Sequence, residues 1–280
     1  MNYSEVIFTC VGGEEWQRDL FIQRLADIGF DTFEVQPDGF SGYIATEQLN
    51  LEAVESLLIH QPPGFDVRYL VNEIAPRNWN AEWERNFDPV VIDDRCYVRA
   101  TFHEPDPSYP YEIVIDPKMA FGTGHHQTTS LMMRYMLETK LEGKRVLDMG
   151  CGTGILAILA AKLGATAILA IDNDPVCVAS VEENKQLNRV AAITEQCGDA
   201  DLIVEMQFDV ILANINRNIL LDQLDKYALC LESGGQLFLS GFYDGDDLGV
   251  LRAAAEMHGL TYLDHKTLDS WAAARFTKSN

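Results

Sequence analysis

Residues 144–165 read KRVLDMGCGTGILAILAAKLGA. The first seven form an apolar strand, CGTG is a glycine-rich turn, and the remainder is a helix that stops at Gly164. The same alternation continues downstream. ATAILAID (165–172) is a strand, and Pro175 opens a helix through about Leu187. A weaker strand covers 193–197, FDVILAN (208–214) is a fourth, a helix runs to about Leu231, and GGQLFLSG (234–241) is a fifth. Strands near 260–265 and 271–277 follow. Strands alternating with helices predict an α/β fold with a mostly parallel, doubly wound sheet that binds ligands at its strand C-termini.

Three features fall at those C-termini. The turn is Asp148-Met-Gly150-Cys-Gly152-Thr-Gly154, with glycine where a ligand must approach the backbone or φ must be positive. A dinucleotide fingerprint, G-x-G-x-x-G, would need glycine where Ile155 stands. A sulfonium cofactor has no pyrophosphate to seat on the helix N-terminus, so the turn suits S-adenosyl-L-methionine better. Asp172 ends the second strand, where a carboxylate can accept hydrogen bonds from both hydroxyls of a ribose. That supports an adenosine cofactor without naming it, and neighbouring Asp174 reads as the start of the next helix. Asn214 ends the fourth strand and can hydrogen-bond the N–H of an amine acceptor; the alternative is an asparagine satisfying its own loop.

Residues 3–10, 31–35, 40–46 and 65–74 read as strands, with helices over 14–28 and from an Asn50 cap to about His60. The order β-α-β-β-α-β predicts a ferredoxin-like α+β domain over residues 1–75. A linker over 76–94 follows, with Trp79, Trp83 and Phe87 forming an aromatic stripe on a short helix. Residues 95–280 form the catalytic domain.

Charge narrows the partners. The chain carries 43 acidic and 21 basic residues, and the first 75 residues hold 13 acidic against three basic. Phosphate backbones repel such a surface, so direct nucleic-acid binding is not expected, while a basic protein would be steered toward it. No uncharged apolar run approaches the roughly 20 residues that span a bilayer, and there is no signal-peptide pattern at the start. Six scattered cysteines without a CxxC pair fit a cytoplasmic protein with reduced thiols. Adjacent His125 and His126 lack a third ligand, so no metal site is expected. Cys151, with no visible base, reads as a small turn residue.

Just upstream of the first core strand stands DPKMAFGTGHHQTT (116–129). With LDMGCGTGILAILAAKLGA and ANINRNIL (213–220), it makes the chain similar to the PrmA family, the methyltransferases of ribosomal protein L11. The hallmark is a DP-x-x-AFGTG-x-H-x-TT segment followed by the glycine turn and an AN-I segment. The small N-terminal domain and Trp-rich connector match too, so the resemblance covers essentially the whole chain. It implies a class I (Rossmann-like) S-adenosylmethionine-dependent methyltransferase domain behind the ferredoxin-like domain. It further implies transfer to lysine side-chain amines and, in some members, the N-terminal amine of ribosomal protein L11, with residues 1–75 recognising the substrate. Carried onto this sequence, Thr129 lies in the segment over the methionine end of the cofactor, Gly150 and Gly152 line it, and Asp172 holds its ribose. Asn214 sits beside the reactive centre. Asn216-Arg217 is a departure, since many relatives have small residues there. Two other classes share parts of the pattern: a nicotinamide-dependent oxidoreductase, and a non-catalytic assembly factor that binds cofactor without turnover.

Overall fold

The structure is a computed structural model and describes residues 3–59, 61, 64–74, 87–116 and 122–279. The chain divides into two compact units, Met1–Asn86 and Phe87–Asn280.

In the first unit the order is β1 (Tyr3–Gly12), α1 (Glu15–Asp27), β2 (Thr32–Gln36), β3 (Gly39–Ala45), α2 (Leu51–Ile59) and β4 (Phe65–Ile74). The sheet is antiparallel in the order β2-β3-β1-β4, the ferredoxin-like arrangement. Period-two alternation along β1 turns Val6 and Phe8 inward. Phe8 stacks on Phe40 with ring centroids 4.8 Å apart, and Phe21 and Leu25 of α1 and Val54 of α2 join this core. Asn50 caps α2 as expected: its Oδ1 accepts the Ala53 N–H at 3.1 Å.

The second unit begins earlier than the sequence suggested. Val90–Ile92 is already a strand, β5, paired antiparallel with β6 (Cys96–Ala100), which pairs in parallel with β7 (Tyr111–Ile115). Residues 87–94 therefore belong to this unit rather than to a linker. The rest of the proposed Trp-rich helix, including Trp79 and Trp83, lies outside the described residues. Next come α3 (Gln127–Glu138), β8 (Arg145–Met149), α4 (Ile155–Lys162), β9 (Ala167–Asp172), α5 (Pro175–Leu187) and β10 (Ile193–Cys197). The unit ends with β11 (Phe208–Asn214), α6 (Arg217–Cys230), β12 (Leu231–Tyr243), α7 (Asp246–Met257), β13 (Leu260–Leu268) and β14 (Trp271–Lys278). Five elements, β5, β6, β7, α3 and α7, were not anticipated from the sequence.

The large sheet runs β10-β9-β8-β11-β12-β14-β13, parallel from β10 to β12, with β14 antiparallel to both neighbours. Each central strand feeds two cores. On β8, Val146 belongs to one and Leu147 and Met149 to the other, because helices cover both faces. α4 is buried from Ile155 to Ala160, which is why its sequence is apolar all round.

Candidate active site

Strand order reverses at β8: β9 and β10 lie on one side and β11 on the other. The crevice at such a reversal, beyond the strand C-termini, is where open α/β sheets bind ligands. Gly150 leaves β8 with φ of +69°. A Cβ there would lie 2.1 Å from Ile215 Cγ2, so the turn closes on the loop after β11 only because residue 150 has no side chain. The Gly150 and Cys151 N–H groups donate to the Ile171 carbonyl at 2.8 and 3.0 Å, stitching the turn to β9.

Asp172, at the end of β9, organises the opposite wall. Its Oδ2 accepts the Gly152 N–H at 2.9 Å and its Oδ1 the Asp174 N–H at 3.0 Å. A carboxylate has about four acceptor sites, so these two bonds fix its plane and leave capacity for two hydroxyls. Asp174 is a helix cap, its Oδ1 accepting the Val176 N–H at 2.8 Å with Pro175 in the first turn of α5. Gly150, Ile171, Asp172, Asp199, Ile215 and Gln223 are among the residues around a cleft of about 80 Å³.

Two buried side chains hold the turn from behind. Asp148 Oδ2 accepts the Ala157 N–H at 3.0 Å in the first turn of α4, while Oδ1 has no partner. Burial pushes this carboxyl up to about 7, against the Ala157 hydrogen bond and with a further push from Asp172. Asn184 of α5 donates to the Thr153 carbonyl at 2.9 Å and accepts the Asp116 N–H at 2.9 Å. Thr153 in turn donates its hydroxyl to the Gly122 carbonyl. The two ends of the AFGTG-bearing segment, at 116 and 122, are thereby tied to the glycine turn; residues 117–121 lie outside the described residues.

Asn214 closes the site from β11. Its Nδ2 donates to Thr129 Oγ1 at 3.4 Å, and its buried Oδ1 has no partner. Thr129 is buried in the first turn of α3, whose cap is His126: the ring Nδ1 accepts the Thr128 N–H at 3.3 Å. His125 instead bonds the Asp88 carbonyl through Nε2 at 2.8 Å, and the two rings serve separate loops. Among the described residues, no three His, Cys, Asp or Glu side chains gather as a metal site. Burial, with Asp148 and Asp172 nearby, drives the Cys151 thiol strongly toward its neutral form.

Of the residues singled out from the sequence, Gly150 and Asp172 line the cleft, while Thr129 and Asn214 meet each other across β11 and α3. Gly152 does not line the cleft; its contribution is the N–H that orients Asp172. Sequence reasoning missed Ile215, Gln223, Asp199 and Asn184. Gly198-Asp199 immediately after β10 was a usable signal, another strand C-terminus with a glycine and a carboxylate. Ile215 stands in the AN-I segment without a role assigned to it, and Gln223 and Asn184 follow no motif.

A family model described as Ribosomal protein L11 methyltransferase (PrmA) matches residues 34–279. The chain belongs to the ribosomal protein L11 methyltransferase family. One relative, the ribosomal protein L11 methyltransferase of Phocaeicola vulgatus, is 44% identical over 279 residues, 99% of each chain. That of Porphyromonas gingivalis is 49% identical over 263 residues, 92% of this chain and 90% of its own. The crystal structure of a ribosomal protein L11 methylase from Lactobacillus delbrueckii subsp. bulgaricus matches with a TM-score of 0.64 at 28% identity, covering 69% of this chain and 100% of the other. As a member of this family, the chain is an S-adenosylmethionine-dependent methyltransferase with a class I fold. The residues present fit that cofactor. Gly150 leaves room that a Cβ would fill, Asp172 has acceptors to spare, and Asn214 Oδ1 is a buried acceptor without a donor.

Proposed function

We propose that this methyltransferase modifies ribosomal protein L11, at lysine side-chain and N-terminal amines, in the cytoplasm. The acceptor is the one named for relatives that match this chain over nearly its whole length. No described helix is long and apolar enough to cross a membrane. The observation that carries the amine assignment is the orphaned Asn214 Oδ1, a buried acceptor at the C-terminal end of the sheet beside the glycine turn. An unsatisfied buried acceptor costs about 1–3 kcal/mol, and an incoming N–H removes that cost.

Thr129, Gly150, Gly152, Asp172 and Asn214 would hold the cofactor. Asp172 accepts from the ribose hydroxyls, Gly152 keeps Asp172 oriented, and Gly150 admits the ligand to the backbone. When bound, S-adenosylmethionine supplies a methyl group on a sulfonium, open to displacement by a neutral amine. The chain's task is to present that amine unprotonated and aligned. A lysine amine has a pKa of about 10.4 in water, and burial lowers it by disfavouring the cation. Asn214 Oδ1 then accepts one N–H and aims the nitrogen lone pair, so alignment and desolvation supply the rate. The acidic first unit, with 13 carboxylates against three basic side chains in residues 1–75, would dock a basic protein.

The test is mass spectrometry of purified L11 after incubation with this protein and S-adenosylmethionine. Whole-methyl mass gains that vanish without cofactor support reaction and acceptor together. No gain on folded L11, with cofactor binding demonstrated, discards the acceptor. Removal of residues 1–86 should slow methylation of intact L11 while sparing cofactor binding; an unchanged rate would remove the docking role.

A further inference from the structure

Asn214 stands on a closed circuit of contacts. It bonds Thr129 on α3, whose cap His126 packs edge-on against Trp271 with ring centroids 4.9 Å apart. Trp271 lies 4.3 Å from Tyr243 at the end of β12, and the Tyr243 N–H donates to Asp247 Oδ2 at 3.2 Å. Asp247 Oδ1 accepts from Arg217 at 2.5 Å. Arg217 lies three residues after Asn214, so the circuit returns to its start.

Two residues, Ile215 and Asn216, separate Asn214 from Arg217. Ile215 donates one hydrogen bond to the Ser240 carbonyl at 3.1 Å, and Asn216 then caps α6 through the Asn218 N–H. Arg217 is an odd choice for the next position. A cation in the first turn of a helix is opposed by the helix dipole, and an ion pair with a side chain 41% exposed adds little to stability. Folding therefore gives no reason for arginine here. Geometry does, because the guanidinium spans two elements that nothing else in this circuit joins directly. It bonds Asn218 on its own helix through Nε and NH2, and Asp247 on α7 through NH1.

We propose that Arg217 and Asp247 form a positioning latch, which fixes the turn leaving β11 just after Asn214 so that Asn214 Oδ1 meets the acceptor amine in register. Neither residue touches the reacting atoms. Alignment in displacement reactions is steep: a misplacement of about 1 Å costs on the order of 10²-fold in rate. The latch rests on the methyl-transfer reading above and adds to it a tether for the acceptor side of the site.

The test compares Arg217→Ala, Asp247→Ala, the double variant, Arg217→Lys, and the swapped pair Arg217→Asp with Asp247→Arg. On L11 at saturating cofactor, each alanine variant should lower kcat on the order of tenfold, while the dissociation constant for S-adenosylhomocysteine and the melting temperature stay near wild type. The double variant should be no slower than either single one, because both remove the same tether. Arg217→Lys and the swapped pair should recover much of kcat. Single variants within twofold of wild-type kcat, multiplicative losses in the double variant, or a swapped pair as slow as the singles would overturn the latch. The wild type separates this from the acceptor assignment. If wild-type protein leaves L11 unmodified, the acceptor is wrong, and the same ratios are read on whichever amine it does methylate.

Discussion

Gly150→Ala is the sharpest probe of the site. The residue sits at φ of +69°, and an alanine Cβ would come 2.1 Å from Ile215 Cγ2. Two costs follow. Left-handed backbone costs a residue with a Cβ about 1–2 kcal/mol, and forcing a methyl into a packed contact costs about 1–3 kcal/mol. Together they predict about 2–5 kcal/mol, or a melting temperature lower by about 4–20 °C for a unit of this size. Ile215 also borders the cleft and neighbours Asn214, so cofactor affinity should fall on the order of tenfold or more. Thermal melts and calorimetric titration of S-adenosylhomocysteine read both effects. The mechanism can be isolated by repeating the substitution in an Ile215→Ala background, where the clashing methyl is gone. There Gly150→Ala should cost only the backbone share, about 1–2 kcal/mol. If the two substitutions are instead additive, or if Gly150→Ala binds cofactor like wild type, the close approach of turn and loop is not what makes glycine necessary.

Three further outcomes follow from the same geometry. With Asp172 holding the ribose as proposed, Asp172→Ala removes a charged acceptor from two hydroxyls, at about 1.5–3 kcal/mol each, so cofactor affinity should fall about 10²–10⁴-fold; a calorimetric loss below tenfold would refute that role for Asp172. Asn184→Ala should destabilise by about 2–4 kcal/mol, since the Asp116 N–H and the Thr153 carbonyl each lose a buried partner; a urea midpoint near wild type would show those bonds to be dispensable. Asp148 makes a pH prediction. Its folded pKa is raised to about 7, so between about 4 and 7 the folded state holds a proton that the unfolded chain has released, and this group's contribution falls as pH rises. Denaturant titrations at pH 5 and pH 8 should show wild type losing stability relative to Asp148→Asn on going to pH 8, and a difference of the opposite sign would contradict the buried-carboxyl account.

Elements whose physics is local were legible in the residues alone. The turn after β8 was legible because three glycines at alternate positions all need positive φ, a requirement set by backbone sterics alone. Asp174 was legible as a cap and Asp172 as a strand-end carboxylate because cap chemistry and strand period are properties of neighbouring residues. The βαββαβ order of the first unit followed from periodicity in the same way. Other elements carried no such signal. β5 is three residues long, too short to display a period, and its membership in the second unit exists only through pairing with β6. α3 opens on the polar run Gln127-Thr128-Thr129-Ser130, three of which are buried, so its sequence does not announce the buried face.

What surrounds those motifs depends on contacts between distant segments. Ile215 carries no visible role within the AN-I segment, yet it sets the identity of residue 150, 65 positions earlier, by filling the space a Cβ would take. Asn184 reads as a helix residue until the fold sets it between Asp116 and Thr153. Arg217 reads as a departure from the family pattern until α7 brings Asp247 to it. In each case the deciding energy is a contact between distant segments, a clash, a buried hydrogen bond or an ion pair. Such contacts exist only once the chain has closed on itself.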